Sequence, residues 1–531
     1  MSSQPLPANH PFSFRDASWL LKTRAEMCGD KPFAIYAAHD RPHTQLSYNE
    51  LAERVTAVAA GLSKQGIEPG DRVVIHLNNC LEYLVAWFAC ARVQAVAIMT
   101  NTHSAQGEMK YYAENSEARA AITQPLLYPV IKNSGYDFDW IACLETDPDG
   151  IESADFPEGE LPFGELELTG AEPPELEANP SAPCSVMYTS GTTSRPKGVL
   201  YTHANVLWGA QRNATHCEIQ SDDVSFTFLP MFHTNAFAYS MLSTMWAGAT
   251  LVMQPKFSPK RFWDVACRYR CTWTSVGPFV GMALKELPYP EKHWFRFWGG
   301  ITGYDPLVQN EWGIASLGWW GMTETVSHAI MSDMHFPSLE SAMGRPTAEY
   351  GVSIVDEDDK PVQVGETGLL KIKGIRGLSI FAEYLNDPEK TAASFDEEGW
   401  FITGDMVRLL EDGSIAFSDR DKDMMKVGGE NVASSEVERV ILEVPGVEDV
   451  AVVSIPHDFL FEVPVAYVVR DRNDDSLVSE IEAACEMNLA TFKRPRCIEF
   501  IDALPRLPIG KLDKKALREE AKLLVPAKKA C

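Results

Sequence analysis

Short apolar runs alternate with amphipathic helical stretches along much of this chain, and that alternation leaves few architectures open. Ser47-x-x-Glu50 is a capping box, and it predicts a helix with Leu51, Val55, Val58 and Leu62 on one face. Pro69-Gly-Asp71 then turns the chain into the apolar run Val73–Leu77. A second helical pattern begins near Leu81 and leads to Val93–Ile98, another candidate strand. After Val199 the rhythm returns, with a helix near Ala204–Cys217 and strands about Val224–Leu229 and Thr250–Met253. Strands that alternate with helices build parallel sheets under helical cover. At 531 residues the chain exceeds what one core supports, so at least two domains are expected.

From about Gly351 the pattern becomes β-rich, with frequent turns. Asp412-Gly413 sits between two alternating runs, Met406–Glu411 and Ser414–Asp419, which predicts a hairpin. A two-residue loop would pair Glu411 with Ser414, so paired numbers sum to 825 and Asp405 lies opposite Arg420. Such a pair is either a structural ion pair or a clamp for a diol, with the carboxylate accepting two hydroxyl hydrogen bonds. Farther on, Ser435-x-x-Glu438 predicts the capped start of a helix that stops before Pro445. The last hundred or so residues read as a small separate α/β domain, with a hinge near Lys422.

Bulk properties exclude several functions. The formal net charge is −27, which disfavours nucleic acid and anionic membrane as partners. Twelve carboxylates and no Lys or Arg fall between Glu145 and Glu177, a stretch that reads as a solvated excursion. The eleven cysteines form no C-x2-C pair, and Cys267 and Cys271 lack histidines at metal-binding spacing. Scattered free thiols suit a reducing cytoplasm. Met1–Phe14 has no apolar segment of the signal-peptide kind, and Tyr83–Met99 is interrupted by Arg92 and Gln94 and is too short to span a bilayer. A soluble cytoplasmic protein, monomer or homodimer, is expected.

Met187–Val199 carries the chemistry most openly. It is rich in glycine and hydroxyl groups, holds Thr189, Ser190, Gly191, Thr192 and Thr193, and has Lys197 near its end. Exposed backbone N–H groups, hydroxyl donors and a mobile cation are what a polyphosphate needs. Five residues separate Gly191 from Lys197 and a glycine follows the lysine, so this is not a Walker A loop. Three further elements follow in order: Trp319-Trp-Gly-Met-Thr-Glu324, Thr403-Gly-Asp405 with Arg420, and Pro508-Ile-Gly-Lys511.

These four elements, in this order, resemble the adenylate-forming superfamily of acyl-CoA synthetases, adenylation domains and beetle luciferases. The resemblance covers nearly the whole chain. It implies an α/β fold in which a large N-terminal domain (1–420) combines two α/β subdomains with a β-rich one. A small mobile C-terminal domain (421–531) carries Lys511 and swings about Lys422 between half-reactions. It further implies that Thr189–Thr193 and Lys197 hold the β- and γ-phosphates of ATP. Trp320 would stack on adenine beside Gly321, Thr323 would meet the α-phosphate, Glu324 would hold Mg²⁺, and Asp405 and Arg420 would bind ribose. Lys511 would bridge the substrate carboxylate and the α-phosphate. Gly428 and Gly429 would line the passage for the pantetheine of coenzyme A, with Phe492 and Arg494 at its nucleotide end. The sequence departs from the family pattern at Ser194 and Asp419, where glycine is common.

The substrate implied is a small carboxylic acid. Amino-acid-activating relatives carry a carboxylate where this chain has His233, in Leu229–Asn235, and no carrier-protein segment follows Lys511. The acyl pocket is expected near His233, Thr234, Asn235, Gly277, Ile301, Trp319 and Val326. The wording around Glu324 and after Gly428 is most similar to crotonobetaine/carnitine-CoA ligases. Tryptophans there either meet a trimethylammonium group by cation–π attraction or simply pack the core. The readings are an acyl-CoA ligase, an adenylating enzyme with another acceptor, or a non-catalytic nucleotide-binding homologue.

Overall fold

The computed structural model describes residues 12–149, 154–189, 195–300, 302–303, 305–336, 339, 342–420, 424–457, 459–471, 476–506 and 512–524. Three sheets organise them. In the first, of eight strands, Glu383–Tyr384, Lys197–Thr202, Pro183–Thr189, Val96–Met99, Arg72–His76, Ala120–Thr123, Trp140–Cys143 and Leu161–Pro162 lie side by side in that order. From Pro183–Thr189 to Leu161–Pro162 the pairings are parallel, as the alternation predicts, while Lys197–Thr202 and Glu383–Tyr384 add antiparallel. The chain from Tyr83 to Met99 resolves into the helix Leu81–Arg92 and the strand Val96–Met99, and no described helix is long and apolar enough to cross a membrane. The predicted capping box is present: Ser47 Oγ accepts from Glu50 N–H, Glu50 accepts from Ser47 N–H, and Leu51, Val55, Val58 and Leu62 are buried.

The second sheet has thirteen strands and changes character along its width. From Pro32–Tyr36 to Ala315–Trp320 its neighbours run parallel. Beyond Ala315–Trp320 they run antiparallel, through Ile330–Met331, Ala342–Pro346, Ile415–Arg420, Phe401–Leu409, Thr367–Lys373 and Gly351–Val355. The β-rich segment is thus hydrogen-bonded onto an α/β sheet, and Trp319 and Trp320 end the strand at the handover. The ends of parallel strands at such a change of direction leave a crevice where loops diverge.

The third sheet joins Glu430–Ala433, Met424–Val427, Phe461–Arg470, Val447–His457 and Cys497–Phe500. Two apolar clusters, one around Val452, Ala466 and Ile481 and one around Val453, Val465 and Leu517, give this part its own core.

Three expectations are corrected. The hairpin loop has three residues, not two: Leu409 pairs with Ile415, Leu410 N–H donates to Ser414 O at 2.8 Å, and Gly413 takes φ +77°. Paired numbers near the turn therefore sum to 824. A bulge at Ser418 then adds one residue, so Met406 faces Asp419 and Asp405 faces Arg420 as predicted. The helix after the small domain's first hairpin starts at Ser434, two residues early, with Ala433 in place of Ser435 as an N-cap that makes no side-chain bond. Glu438 accepts from Val452 N–H and pairs with Lys514 instead. The acidic stretch is anchored as well as solvated. Asp147 is buried and accepts from Gln124 Nε2 at 2.7 Å and Leu126 N–H at 3.0 Å, and Glu167 pairs with Arg54.

Candidate active site

Lys197 enters the site because its strand pairs antiparallel with Pro183–Thr189, which sets it opposite Thr189. Ser190–Thr193, between them, lie outside the described residues, as do Ile301, Lys422 and Lys511. The short strand Glu383–Tyr384 is added beside Lys197–Thr202, pairing Tyr384 with Val199. The Lys197 ammonium then lies 4.8 Å from the centre of the Tyr384 ring. Tyr384 OH donates to Glu324 Oε1 at 2.8 Å. Burial lowers the pKa of Lys197, and the nearby Glu324 charge opposes that fall. Burial, followed by the Glu324 carboxylate, holds the Tyr384 phenol protonated.

Thr323, Glu324 and Thr325 form a single tight turn after the strand Ala315–Trp320. Met322 N–H donates to Thr325 Oγ1 at 3.0 Å, and Tyr201 OH donates to Thr323 O. Val326, fully buried, closes this turn at φ +62°, a conformation that a β-branched residue adopts only when its surroundings dictate it. Gly321 has no room for a side chain, since a Cβ there would stand 2.2 Å from Tyr239 Oη.

Trp320 Nε1–H donates to Asp405 Oδ2 at 2.8 Å. Both residues are buried, and Asp405 N–H is in turn held by Thr403 Oγ1 at 3.1 Å. The carboxylate expected to clamp a diol is therefore aimed by the tryptophan expected to stack on the base. Backbone pairing puts Arg420 across from Asp405.

Of the predicted acyl-pocket residues, His233, Thr234 and Asn235 lie in Phe232–Leu242, and Tyr239 of that segment packs edge-on against Trp319 at 6.3 Å. Thr234 is buried with its hydroxyl 3.7 Å from Met187 Sδ, and Asn235 Oδ1 is buried with no hydrogen-bond partner among the described residues. Trp319 lies flat across Gly299, where a Cβ would fall 1.5 Å from its ring. Its stacking partner is the imidazole of His328, at 4.4 Å. One face of Trp319 is thus already covered. Trp263, Trp273, Trp298 and Trp312 are buried in apolar clusters, so tryptophan here is chiefly core material.

Gly428 and Gly429, at φ +62° and +95°, turn the small domain's first hairpin toward this pocket. A Cβ on Gly277 would overlap the Phe279 ring at 2.7 Å, and one on Gly429 would press on it at 3.3 Å. Glu430 follows, and its Oε1 lies 2.7 Å from His233 Nε2. Burial works against a charged His233, but the Glu430 carboxylate prevails and the pKa is raised; burial raises Glu430, but His233 prevails and lowers it. Phe492 lies 6.4 Å from the His103 ring. Arg494 donates to Leu489 O at 3.0 Å and Glu486 O at 3.2 Å, so its guanidinium closes the end of the helix Ser476–Asn488.

Tyr384, Glu430, Tyr239 and His328 are site residues that the sequence reading did not single out. Glu430 stands next to two glycines that were, and it could have been flagged. Tyr384 sits in an ordinary strand edge with no local signal.

Comparison with known proteins identifies the family. The sequence profile described as AMP-binding enzyme matches residues 21–385, and that described as AMP-binding enzyme C-terminal domain matches 436–511. A crotonobetaine/carnitine–CoA ligase from Citrobacter koseri is 32% identical over 508 residues, 93% of this chain and 97% of its own. Among solved structures, an o-succinylbenzoate CoA synthetase double mutant from Bacillus subtilis, bound with a product analogue, superposes with a TM-score of 0.79 at 26% identity. It covers 94% of this chain and 98% of that one. A fatty acyl CoA synthetase from Mycobacterium tuberculosis gives 0.67 at 27% identity, covering 96% and 99%.

Proposed function

The chain belongs to the AMP-binding enzyme family, and from that premise we propose that it is an AMP-forming acyl-CoA ligase. The observation that carries this reading is the convergence on one strand end of two groups: Lys197 with Tyr384 and Glu324, and Trp320 with Asp405. The first group suits a polyphosphate and the second a nucleoside.

The substrate carboxylate attacks the α-phosphorus of ATP, the bond to the bridging oxygen breaks, and pyrophosphate leaves. Both reactants are anions, and two unit charges 4 Å apart repel by about 4 kcal/mol at an effective dielectric near 20. Lys197 and Lys511 offset that repulsion, Thr323 meets the α-phosphate, and Asp405 with Arg420 aligns the ribose. Glu324 is a buried carboxylate on a rigid turn, a hard oxygen donor that suits Mg²⁺. Among the described residues no three metal-binding side chains gather, so phosphate oxygens and water would complete its shell. Bound there, the ion would neutralise phosphate charge. In the second step the thiol of coenzyme A attacks the acyl carbonyl and AMP leaves. Gly428 and Gly429 place no side chain on that approach, and Glu430, paired with His233, is the carboxylate we assign to accept the thiol proton.

The relatives named as crotonobetaine/carnitine ligases make a short polar or zwitterionic acid the first choice of substrate. The covered face of Trp319 argues against that ring as the site of a quaternary ammonium group. AMP release measured with ATP, Mg²⁺ and coenzyme A over crotonobetaine, short and medium fatty acids and aryl acids tests the reading. One acid should be strongly preferred, and Lys511→Ala should abolish pyrophosphate exchange while sparing thioester formation from synthetic acyl-adenylate. AMP release independent of coenzyme A would redirect the reading to another acceptor. No release with any acid would overturn it.

A further inference from the structure

Three charged side chains meet in the seam between the large and small domains, out of contact with solvent. Lys493 Nζ donates to Glu108 Oε1 at 2.6 Å and to Glu436 Oε1 at 2.8 Å, and all three residues are at least 94% buried. Glu108 lies on the first turn of the helix Gln106–Ser116 of the large domain, where its other oxygen accepts from Ala105 N–H at 2.9 Å. Glu436 lies on the helix Ser434–Leu442 of the small domain, and Lys493 on the single turn Thr491–Lys493. Burying charge is costly, and a buried ammonium with two carboxylates is rarely retained for stability alone.

The seam is built for close approach. A Cβ on Gly107 would stand 2.3 Å from Asn488 Oδ1 and 3.2 Å from Asn488 Cα, so the helix Gln106–Ser116 touches the end of Ser476–Asn488 only because residue 107 is glycine. His103 packs edge-on against Phe492 beside it. This docking is the same one that carries Glu430 to His233.

We propose that Lys493, clasped between Glu108 and Glu436, is a positioning residue that fixes the small domain in the orientation serving the coenzyme A half-reaction. The inference rests on the ligase reading only for the identity of that step. The cluster has one carboxylate more than it has cations. Burial raises the pKa of Glu436, and its Oε2 has no hydrogen-bond partner among the described residues. With two carboxylates on one ammonium, either can hold the ion pair when the other loses its charge. That redundancy is the clasp's signature: losing one carboxylate charge is tolerated, and losing both, or the ammonium, is not.

The test uses the full-length enzyme with Lys493→Met, Glu108→Gln, Glu436→Gln and the double glutamine variant. Hydrogen exchange of the ligand-free proteins is read at residues 103–116 and 484–494. Pyrophosphate exchange and thioester formation from synthetic acyl-adenylate are read with the best acid of the panel. Lys493→Met and the double variant should speed exchange in both segments at least tenfold. They should also slow thioester formation at least tenfold while pyrophosphate exchange stays within twofold. Each single glutamine variant should stay within threefold on every readout. Unchanged exchange in Lys493→Met, equal loss of both half-reactions in a folded variant, or single glutamine effects that add up to the double would each overturn the clasp. Should the wild type activate no acid, the ligase reading fails while the exchange measurement still decides the clasp.

Discussion

Trp320 and Asp405 are 85 positions apart, yet one hydrogen bond joins the two groups on which nucleoside recognition would depend. The sequence suggests each by its local motif, and the bond between them is absent from either motif. It predicts that Trp320→Phe does more than trim a ring. The variant withdraws a donor from a buried carboxylate, an interaction worth about 1.5–3 kcal/mol. The KM for ATP should rise about tenfold or more, with a smaller change in kcat, as measured by initial rates at saturating acid. An unchanged KM would mean that Asp405 needs no such aim. His233 and Glu430 offer a second test at this scale. His233 is raised and Glu430 lowered, so their attraction is fully present below the ordinary histidine range and fades as pH rises through the raised His233 pKa. At the acid end it is lost as pH falls through the lowered Glu430 pKa. In Glu430→Gln burial alone acts, and the His233 signal in a histidine-selective NMR titration should move from above 6.5 to below it.

Elements were legible where a local rule specified them and illegible where the tertiary structure chose. The capping box at Ser47 and the parallel strands follow from spacing alone, and both are found. The hairpin shows how a local rule can fail and its consequence survive. Asp412-Gly413 marks the turn, but Gly413 serves as the left-handed third residue of a longer loop, and the bulge at Ser418 restores the register at Asp405. The neighbouring strand Ala342–Pro346 is itself irregular at Met343, so both irregularities belong to the packed sheet and no short stretch announces them. A Cβ at Gly413 would meet nothing, so Gly413→Ala carries only the backbone cost, about 1 kcal/mol. Hydrogen exchange in Phe401–Leu409 should quicken about fivefold, and less in Gly413→Asn, because asparagine tolerates that conformation. Equal rates in all three proteins would show the loop to be loose. Tyr384 and Lys493 are the opposite case: each acts through partners more than fifty residues away, and nothing near them in sequence announces it.

At the scale of the whole molecule, the small domain has its own core, and its surface meets the large domain where Glu430 reaches His233. The same docking holds Glu430 on His233 and the helix Gln106–Ser116 on the end of Ser476–Asn488, and at Gly107 it leaves no room for a side chain. A valine there must displace Asn488, backbone included, because its Cβ would fall 3.2 Å from Asn488 Cα. The helix itself tolerates valine, at about 0.7 kcal/mol or less relative to alanine, below the about 1 kcal/mol that glycine already costs. Gly107→Val should therefore leave each core intact and uncouple the two. The expected outcome is a slower thioester half-reaction with unchanged pyrophosphate exchange, and separate calorimetric transitions where the wild type shows greater overlap. Asn488→Ala in the same background removes the side-chain clash at 2.3 Å and should recover part of the lost rate. Loss of pyrophosphate exchange in Gly107→Val would instead show that adenylation uses this same docking, and the two half-reactions would then share one arrangement of the domains.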